Sequence, residues 1–486
     1  MASPAQPSVT DALATLAAAC PSSPPAAALK ALCRASLEAS VRAALAAVLP
    51  HALAMAVEAP ADHPALLYVW RLLRNAAAGC EDNQLALATA LASSPLLHPN
   101  HLTALLAPPA SPACAVAYLQ LLVNVVSANE AAAAVLFDPA LPVLSAVVAS
   151  EAARAVDGLI GLVPLFVVRA AVAVPDLLPQ SEPWLALVLE LVAQLDTEDS
   201  LLFTNVVHLV ELAADAGVLG AWLAAAKTAS PDSAMELLKI LDGLVHRAES
   251  EGGDVTAFTP LPLAETIMDD LVGDINAMLM PLAAGAPTAG SGSDSDDDDG
   301  LTGRIAVNRD VQDSAMALLR LRLRILGMVL GGAEPVLRDA AGSRGLVAGV
   351  TMLLKAVHAA QSHTVQARRA RNGPDHDGSG IPDGLLAEVM RLVANAAFES
   401  PANQDEVRET DGMMVILDCC KLDERNPYLR EWALMAVRNL TIDNTANQEV
   451  IAELETRGIA PGTDLDSLGI DAEIDEHGKL RVSRRK

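Results

Sequence analysis

Apolar positions in the last quarter of the chain recur with the period of an α-helix. After Pro427 they follow an i, i+3, i+4, i+7 spacing, at Leu429, Trp432, Ala433, Ala436, Val437 and Leu440. An earlier segment has the same spacing, at Leu385, Leu386, Val389, Met390, Val393 and Ala397. Asn426 and Pro427 predict a helix start, because asparagine caps helices and proline suits their first turn. The pattern therefore predicts two long amphipathic helices.

Two shorter helices are predicted between the long ones. Ser400-Pro401 should begin the first of them, and Asp411-Gly412 should end it. Met413–Cys420 is a second apolar run, and Leu422–Asn426 should turn the chain into the next long helix. One unit of the chain therefore contains three helices.

A repeated amide pattern marks the same units. An apolar segment that carries an asparagine is followed, after seven residues, by Asn-Gln, with copies beginning at Asn75, Asn395 and Asn439. A degenerate copy at Asn124 has Asn129-Glu130 after a shortened spacer, and an eroded unit surrounds Asn205. Asn395 and Asn439 are 44 residues apart, a period typical of armadillo and HEAT arrays. We therefore expect an all-α fold, an α-solenoid of armadillo/HEAT-like helical repeats.

Composition supports a helical protein and excludes some partners. Hydrophobic residues make up 52% of the chain and aromatic residues only 2%, and the strong helix formers alanine and leucine dominate. A net charge of −27 repels phosphate, so we expect no nucleic-acid binding. We also expect no membrane span, because prolines break the uncharged stretch at 102–129. No C-x-x-C pair occurs, and no secretory signal opens the chain, so free thiols and a cytoplasmic location are predicted.

A polar segment divides the helical texture into two parts. Residues 285–303 combine Gly, Ser, Pro and an aspartate run, which predicts a disordered acidic linker. It would separate N-terminal armadillo-like repeats at 1–284 from C-terminal repeats at 304–486. Ser293 and Ser295 precede acidic residues and are candidate phosphorylation sites.

Two groups of arginines stand out in the C-terminal part. The segment 361–384 carries three of them together with GPDHDGSGIPDG, and we predict a loop inserted between helices. Arg320, Arg322 and Arg324 would bind an acidic partner or, as we expect, pair with carboxylates of the protein itself.

The C-terminal residues resemble a known family. At about 385–480 the chain contains NAAFESPANQD, vicinal cysteines, DERNP, EWA and RNL followed by NQ. In these motifs it is similar to the C-terminal domain of the ataxin-10 family, and WRLLRNAAAGCEDNQ and LQLLVNVVSANE resemble that family's N-terminal repeats. The resemblance implies an armadillo-like, non-enzymatic, cytosolic homo-oligomer that acts as a protein-binding scaffold, with links to cytokinesis and cell survival.

Candidate binding residues lie on the predicted third helices. In armadillo folds that bind extended peptides, asparagine amides there offer a donor and an acceptor to the main chain of the ligand. The candidate protein-binding residues are therefore Asn75, Asn124, Asn395, Asn439, Trp432 and Arg438. Trp70, Trp432 and Tyr428 would be aromatic anchors unless they belong to the core. Alternatively, the amides bond neighbouring repeats and fix how the units stack.

Other classes of function have less support. The chain has no Gly-Lys-Ser/Thr phosphate loop and no H-E-x-x-H motif, and DHDGSG at 375–380 lacks the glutamate that a calcium loop needs. We therefore predict no enzyme activity, no cofactor and no metal. Two alternatives stay open: a transport-type adaptor that binds basic extended peptides, and a regulator of a GTPase or kinase partner.

Overall fold

The computed structural model describes most of the chain. The described residues are 8–21, 24–178, 181–195, 200–229, 231–283, 301–332, 335–371, 381–423, 425–454, 470–474 and 480–484. They form two compact units, Met1–Thr266 and Ile267–Lys486, and the division falls within one helix, upstream of the predicted acidic linker. Ser293, Ser295 and all of the linker up to residue 300 lie outside the described residues.

The first unit is a succession of helices joined by short turns. Its helices are α1 (Val9–Ala18), α2 (Ala26–Ala35), α3 (Ala39–Ala44), α4 (Leu49–Glu58), α5 (Leu66–Ala77), α6 (Glu81–Ala92), α7 (Pro99–Leu106), α8 (Pro112–Val126), α9 (Glu130–Ala149), α10 (Glu151–Arg154), α11 (Leu162–Ala173), α12 (Glu182–Ala193), α13 (Ser200–Asp215), α14 (Leu219–Ala229) and α15 (Pro231–Glu251). Three 3-10 segments join them, at Leu45–Val48, Pro95–Leu97 and Pro175–Leu177.

The second unit repeats this construction and ends in a short β-hairpin. Its helices are α16 (Leu261–Ala283), which begins in the first unit, α17 (Leu301–Gly332), α18 (Pro335–Ser343), α19 (Leu346–Arg371), α20 (Leu385–Ala396), α21 (Pro401–Glu409), α22 (Gly412–Asp418), α23 (Leu429–Thr441) and α24 (Thr445–Ala452). Its strands are β1 (Ile470–Ile474) and β2 (Leu480–Arg484).

Long helices stack side by side within each unit and bury the predicted apolar faces. We call α2, α5, α8, α11 and α13 in the first unit, and α17, α20 and α23 in the second, the third helices. α5 packs between α2 and α8, and α20 packs between α17 and α23. The apolar positions predicted for α20 are at most 2% exposed. The all-α solenoid of helical repeats is therefore confirmed.

The joints after α5, α8, α20 and α23 have the same local geometry. The fourth residue after the asparagine has a left-handed backbone, in Gly79 (φ +64°), Ala128 (φ +55°), Glu399 (φ +50°) and Asp443 (φ +53°). The fifth residue is the extended N-cap of the next helix, in Cys80, Asn129, Ser400 and Asn444. The reversal of direction between repeats is therefore made by one residue in a conformation that favours glycine.

Several boundaries differ from the sequence prediction. The last three residues of the predicted linker 285–303 are helical, because α17 begins at Leu301. The loop predicted at 361–384 is wrong over 361–371, where the helix formers Ala, Gln and Arg continue α19 to Arg371. Asn426 does not cap α23, which begins at Leu429 after Tyr428. The amide of Asn426 instead donates to Gln361 Oε1 at 3.2 Å.

The β-hairpin was not among the predicted elements. β1 and β2 pair antiparallel, with Ile470 opposite Arg484 and Ile474 opposite Leu480. Strict alternation of apolar and polar residues in IDAEI is the signal that a period-2 search detects.

Two helical segments qualify as membrane spans by length and composition alone. They are Val41–Glu58 and Glu130–Ala149, and two bent helix pairs in the described residues raise the number to four if each pair is counted as one span. Half of the second segment is buried inside the protein, and its Asp138 accepts a hydrogen bond from Trp184 Nε1 at 2.9 Å. The expectation of no membrane span stays a prediction.

Candidate protein-interaction surface

Asparagine side chains join successive third helices. Each donates from its amide Nδ2 to a main-chain carbonyl of the preceding third helix or its N-cap: Asn124 to Arg74 (3.0 Å), Asn205 to Gly161 (3.0 Å), Asn395 to Gly327 (2.6 Å) and Asn439 to Ala394 (2.9 Å). In two pairs, the carbonyl belongs to the residue directly before the asparagine of the earlier repeat. The amides therefore form a ladder from repeat to repeat, which is the stacking role considered above.

The first asparagine of the ladder is held on both sides of its amide. Asn75 Nδ2 donates to Cys33 O at 3.2 Å and to Ser36 Oγ at 3.1 Å. Its Oδ1 accepts from Arg74 Nη2 at 2.9 Å, just as Asn439 Oδ1 accepts from Arg438 Nη1 at 3.3 Å. Both asparagines are buried, so neither offers its amide to a ligand.

Asn124 and Asn395 differ from these two. Each is only partly buried, and its Oδ1 meets no hydrogen-bond donor among the described residues. Each of these two oxygens is therefore an acceptor that a ligand's main-chain N–H can use.

The asparagine of each Asn-Gln pair closes its own joint. Its Nδ2 donates to the carbonyl seven residues earlier, from Asn83 to Ala76 (3.0 Å), from Asn403 to Ala396 (2.8 Å) and from Asn447 to Leu440 (2.8 Å). That carbonyl follows the ladder asparagine directly. The constant seven-residue spacer therefore reflects a hydrogen bond across the joint.

The glutamine of each pair reaches forward to the next repeat. Gln84 Nε2 donates to Asn124 O at 2.8 Å, and Gln404 Nε2 donates to Asn439 O at 2.9 Å. Both glutamines are only 1% exposed. Gln448 occupies the same position in the last repeat, is exposed, and turns back to Thr441 O at 2.8 Å.

The interpretation of Asn129-Glu130 as a shifted Asn-Gln pair is wrong. Asn129 lies five residues after Asn124, as Asn444 does after Asn439, and both cap the following helix. Asn129 Nδ2 donates to Gln84 Oε1 at 3.1 Å, and Asn444 Nδ2 donates to Gln404 Oε1 at 3.2 Å. The two caps are therefore equivalent parts of the repeat interface.

The proposed aromatic anchors occupy different environments. Trp70 is fully buried against His101 and Tyr118, with ring centroids 5.5 and 5.0 Å away, so it is a core residue and not an anchor. Trp432 is half-buried beneath the guanidinium of Arg391, whose Cζ lies 5.1 Å from the ring centroid. Tyr428 is 73% exposed and has a left-handed backbone.

The arginines of α17 pair with carboxylates of the same unit. Arg320 binds Glu388 through two hydrogen bonds, of 2.9 and 2.6 Å. Arg322 is 4% exposed and pairs with Asp270 and Asp274. Internal pairing is therefore confirmed for these two arginines.

Among the described residues, no further repeat covers the stacking face of the last one. Five residues before the ladder asparagine, Trp70, Leu119 and Met390 are at most 1% exposed because the next repeat covers them, whereas the equivalent Leu434 is 50% exposed. Met435 beside it is 41% exposed. We call the exposed side of α23 and α24 that contains Glu431, Leu434, Met435, Arg438 and Gln448 the end face.

A cleft opens along the ladder of the first unit. Its volume is about 320 Å³, and it is lined by Arg74, Gln120, Val123, Asn124, Leu162 and Leu165 of α5, α8 and α11. Arg74 Nη1 donates to Gln120 Oε1 at 2.6 Å at its edge. Of the six candidate binding residues, only Asn124 lines this cleft.

Cysteine chemistry and metal binding receive no support from the described residues. No group of three or more His, Cys, Asp or Glu side chains in them is placed to hold a metal ion. Burial raises the pKa of the Cys33 thiol and of the Cys419 thiol to about 12, which disfavours the reactive thiolate.

Comparison with known proteins places the C-terminal region. Residues 386–483 match the family model described as "Spinocerebellar ataxia type 10 protein domain". The resemblance to the ataxin-10 family is confirmed. Bos taurus ataxin-10 is 38% identical over 131 residues, which cover 26% of this chain and 28% of that protein. The Dictyostelium discoideum ataxin-10 homolog is 38% identical over 98 residues, covering 20% of this chain and 16% of that protein.

These alignments to ataxin-10 cover less than one third of each relative. The family-model match spans α20 to β2. Among solved structures, an engineered protein aligns over 92% of this chain and 91% of its own, with 14% identity and a TM-score of 0.37.

Proposed function

We propose that the chain is a non-enzymatic, cytoplasmic scaffold that binds other proteins and self-associates through the end face. The open end face is the observation that carries the proposal. The similarity to ataxin-10 supports it and suggests cytokinesis or cell survival as the process served. The transport-adaptor and GTPase- or kinase-regulator alternatives stay predictions.

The end face has the chemistry of an interface between repeats. Within the solenoid, the surface equivalent to the one around Leu434 is buried by a neighbouring repeat, and the residue equivalent to Gln448 donates to that neighbour's main chain. Exposed apolar side chains next to exposed polar ones are typical of protein-binding surfaces. A second copy provides the same kind of surface.

The charges of the end face favour a two-fold arrangement. Glu431 and Arg438 are exposed and lie two helical turns apart, on either side of Leu434 and Met435. If two α23 helices pack antiparallel, Glu431 of each copy faces Arg438 of the other. Such a self-complementary contact is the rule in two-fold dimers.

Sedimentation velocity of purified protein at about 1 to 100 µM tests this proposal. We expect a concentration-dependent dimer that Leu434→Asp abolishes, because the new carboxylate loses its hydration in the interface. Leu85→Asp is the matched control, since Leu85 is 40% exposed on α6 and lies outside the end face. Helical circular dichroism should be unchanged in both variants.

A charge exchange tests the geometry. Glu431→Arg or Arg438→Glu alone should weaken the dimer about five- to tenfold, and the two together should restore most of the affinity. A wild-type chain that stays monomeric throughout, or a Leu434→Asp chain that dimerises normally, would refute self-association through this face.

A further inference from the structure

The third helices at the start of the first unit carry only positive charge. The chain contains 60 acidic residues, yet α2, α5, α8 and α11 contain none. Their basic residues include Lys30 and Arg34 on α2 and Arg71 and Arg74 on α5, which we call the basic strip. Asn75 donates to the carbonyl directly before Arg34, so Arg34 occupies the position of a ladder asparagine on α2. Lys30 lies four residues before Arg34, as Arg71 lies four residues before Asn75. The strip therefore lies on the ladder side of the unit.

None of the four cations of the basic strip forms an ion pair with a carboxylate among the described residues. Lys30, Arg34 and Arg71 are exposed, whereas Arg74 is partly buried. Burial and, to a smaller extent, the neighbouring charge of Arg71 lower the pKa of Arg74. In a chain with a net charge of −27, such an unneutralised positive surface is complementary to an anion.

Neutral amide side chains hold Arg74 in a position in which it can recognise a ligand. Its Nε and Nη2 donate to Asn75 Oδ1 at 3.1 and 2.9 Å, and its Nη1 donates to Gln120 Oε1 at 2.6 Å. These amides fix the guanidinium at the edge of the cleft without cancelling its charge. A guanidinium fixed in this way matches the planar geometry of a carboxylate.

The cleft beside Arg74 supplies the other contacts that an extended peptide needs. Asn124 Oδ1 is an available acceptor for a main-chain N–H, and Leu162 and Leu165 form an apolar wall. A volume of about 320 Å³ lies at the lower end of the range for ligand sites, which suits a few residues of a peptide.

We propose that the basic strip and this cleft bind an extended peptide segment of another protein in which carboxylate side chains alternate with leucine-like ones. The carboxylates pair with Arg71 and Arg74, the apolar side chains rest on Leu162 and Leu165, and the main chain bonds Asn124. The proposal is independent of self-association, because the end face belongs to the other unit. It also reverses the charge of the peptide expected for a transport-type adaptor.

Fluorescence anisotropy with the full chain tests the proposal. The probes are two fluorescein-labelled hexapeptides, one alternating Leu and Glu and the other alternating Leu and Lys. We expect the Glu peptide to bind at least tenfold more tightly than the Lys peptide, with an affinity that falls as salt rises. Equal or tighter binding of the Lys peptide would overturn the proposal in favour of the adaptor alternative.

Substitutions locate the binding site. Arg71→Gln removes an exposed charge with no hydrogen bond in the described residues and should raise the Kd of the Glu peptide about three- to tenfold. Arg74→Gln should raise it about tenfold or more, with folding checked by circular dichroism. Arg430→Gln, an exposed arginine of α23, is the control and should change nothing.

Two further results decide whether the Glu peptide occupies this cleft, and a third shows that binding is independent of dimerisation. A Kd that Arg71→Gln leaves unchanged would refute the site even if the Arg74 variant failed to fold. Displacement of the peptide by a poly-dT oligonucleotide of comparable affinity would indicate a general polyanion surface and would also refute it. Loss of dimerisation in the Leu434→Asp variant should leave peptide binding intact.

Discussion

The left-handed residue at each joint shows how a single position limits stability. Gly79 and Ala128 occupy equivalent joints, with φ of +64° and +55°. A residue other than glycine in this conformation costs the folded chain roughly 1 to 2 kcal/mol. Glycine avoids this cost, but it also raises the entropy of the unfolded chain, which offsets part of the gain in stability. The backbone at the Ala128 joint is therefore less stable than the backbone at the Gly79 joint.

Exchanging the two residue types should have opposite effects. We expect Ala128→Gly to raise the free energy of unfolding of the first unit by about 0.5 to 1 kcal/mol, and Gly79→Ala to lower it by a similar amount. A Cβ added at Gly79 meets nothing within 4 Å, so only the backbone conformation matters there. Urea unfolding monitored by circular dichroism measures both changes. Equal signs for the two variants would contradict this account.

His101 should make the first unit sensitive to acid. Burial between Trp70 and Tyr118 lowers the pKa of His101 from 6.5 to about 4. His101 is therefore protonated below about pH 6.5 in the unfolded chain, but only below about pH 4 in the folded chain. The stability from this group is fully present above pH 6.5 and is lost as pH falls towards 4, by about 2 to 3 kcal/mol.

A comparison of two proteins isolates this contribution. His101→Phe keeps an aromatic ring but cannot be protonated, so its unfolding free energy should fall less between pH 6.5 and 4 than that of the wild type. The carboxylates contribute equally to both proteins and cancel in the difference. Parallel pH profiles measured by urea unfolding would argue against a depressed pKa for His101.

At the scale of elements, the repeats are held together by side-chain amides as well as by apolar contact. Gln404 lies in α21 and donates to main-chain carbonyls at the end of α20 and within α23. A buried glutamine of this kind fixes the register of one repeat on the next, because its donors fit only one arrangement of carbonyls. The recurrence of Asn-Gln as a unit follows from these bonds.

The two equivalent glutamines provide a matched test of this idea. Gln404→Ala should lower the free energy of unfolding by about 1 to 3 kcal/mol, because buried carbonyls lose their donor. Gln448→Ala should change it by less than about 0.5 kcal/mol, since that side chain is exposed. Thermal unfolding of both variants measures the contrast. Similar losses in the two would show that the inter-repeat bonds are not the cause.

At the scale of the whole molecule, salt should act on the two proposed interactions with opposite signs, because the net charge of −27 dominates self-association whereas the local positive charge of the basic strip dominates peptide binding. Two copies of the chain repel each other, so raising the salt concentration from about 20 to 150 mM should strengthen the dimer, because the Debye length shortens. The same change should weaken binding of the Glu peptide at the basic strip. Sedimentation and anisotropy at matched salt concentrations measure the two trends, and parallel trends would contradict the charge assignments.

Most of the helices could be predicted from the sequence, because the burial of one helix face requires a regular spacing of apolar residues along the chain. The i, i+3, i+4, i+7 spacing predicted α20 and α23, and the helices and turn between them followed from Pro401, Gly412 and the apolar run at Met413. It failed where local preference and tertiary context disagree. Asn426 has the residue type of a cap, but its amide donates to Asp423 at 2.8 Å and to Gln361, 65 positions away, at 3.2 Å.

The candidate site was only partly accessible to sequence reasoning. The spacing of the asparagines showed that they are equivalent, yet it did not show that Asn75 and Asn439 are saturated while Asn124 and Asn395 keep a free acceptor. The basic strip carried a signal, the absence of acidic residues from α2, α5, α8 and α11, that becomes visible only when the third helices are known to be neighbours.

Periodicity and motifs are properties of consecutive residues, so the amino-acid sequence alone established that the chain is helical, that it repeats, and that its C-terminal region resembles ataxin-10. The folded chain was needed to show which carbonyl each amide meets, that Leu434 and Gln448 lie on an uncovered face, and that Arg74 and Asn124 line the same cleft. These properties depend on the register between helices about 40 or more residues apart, and packing of whole repeats sets that register.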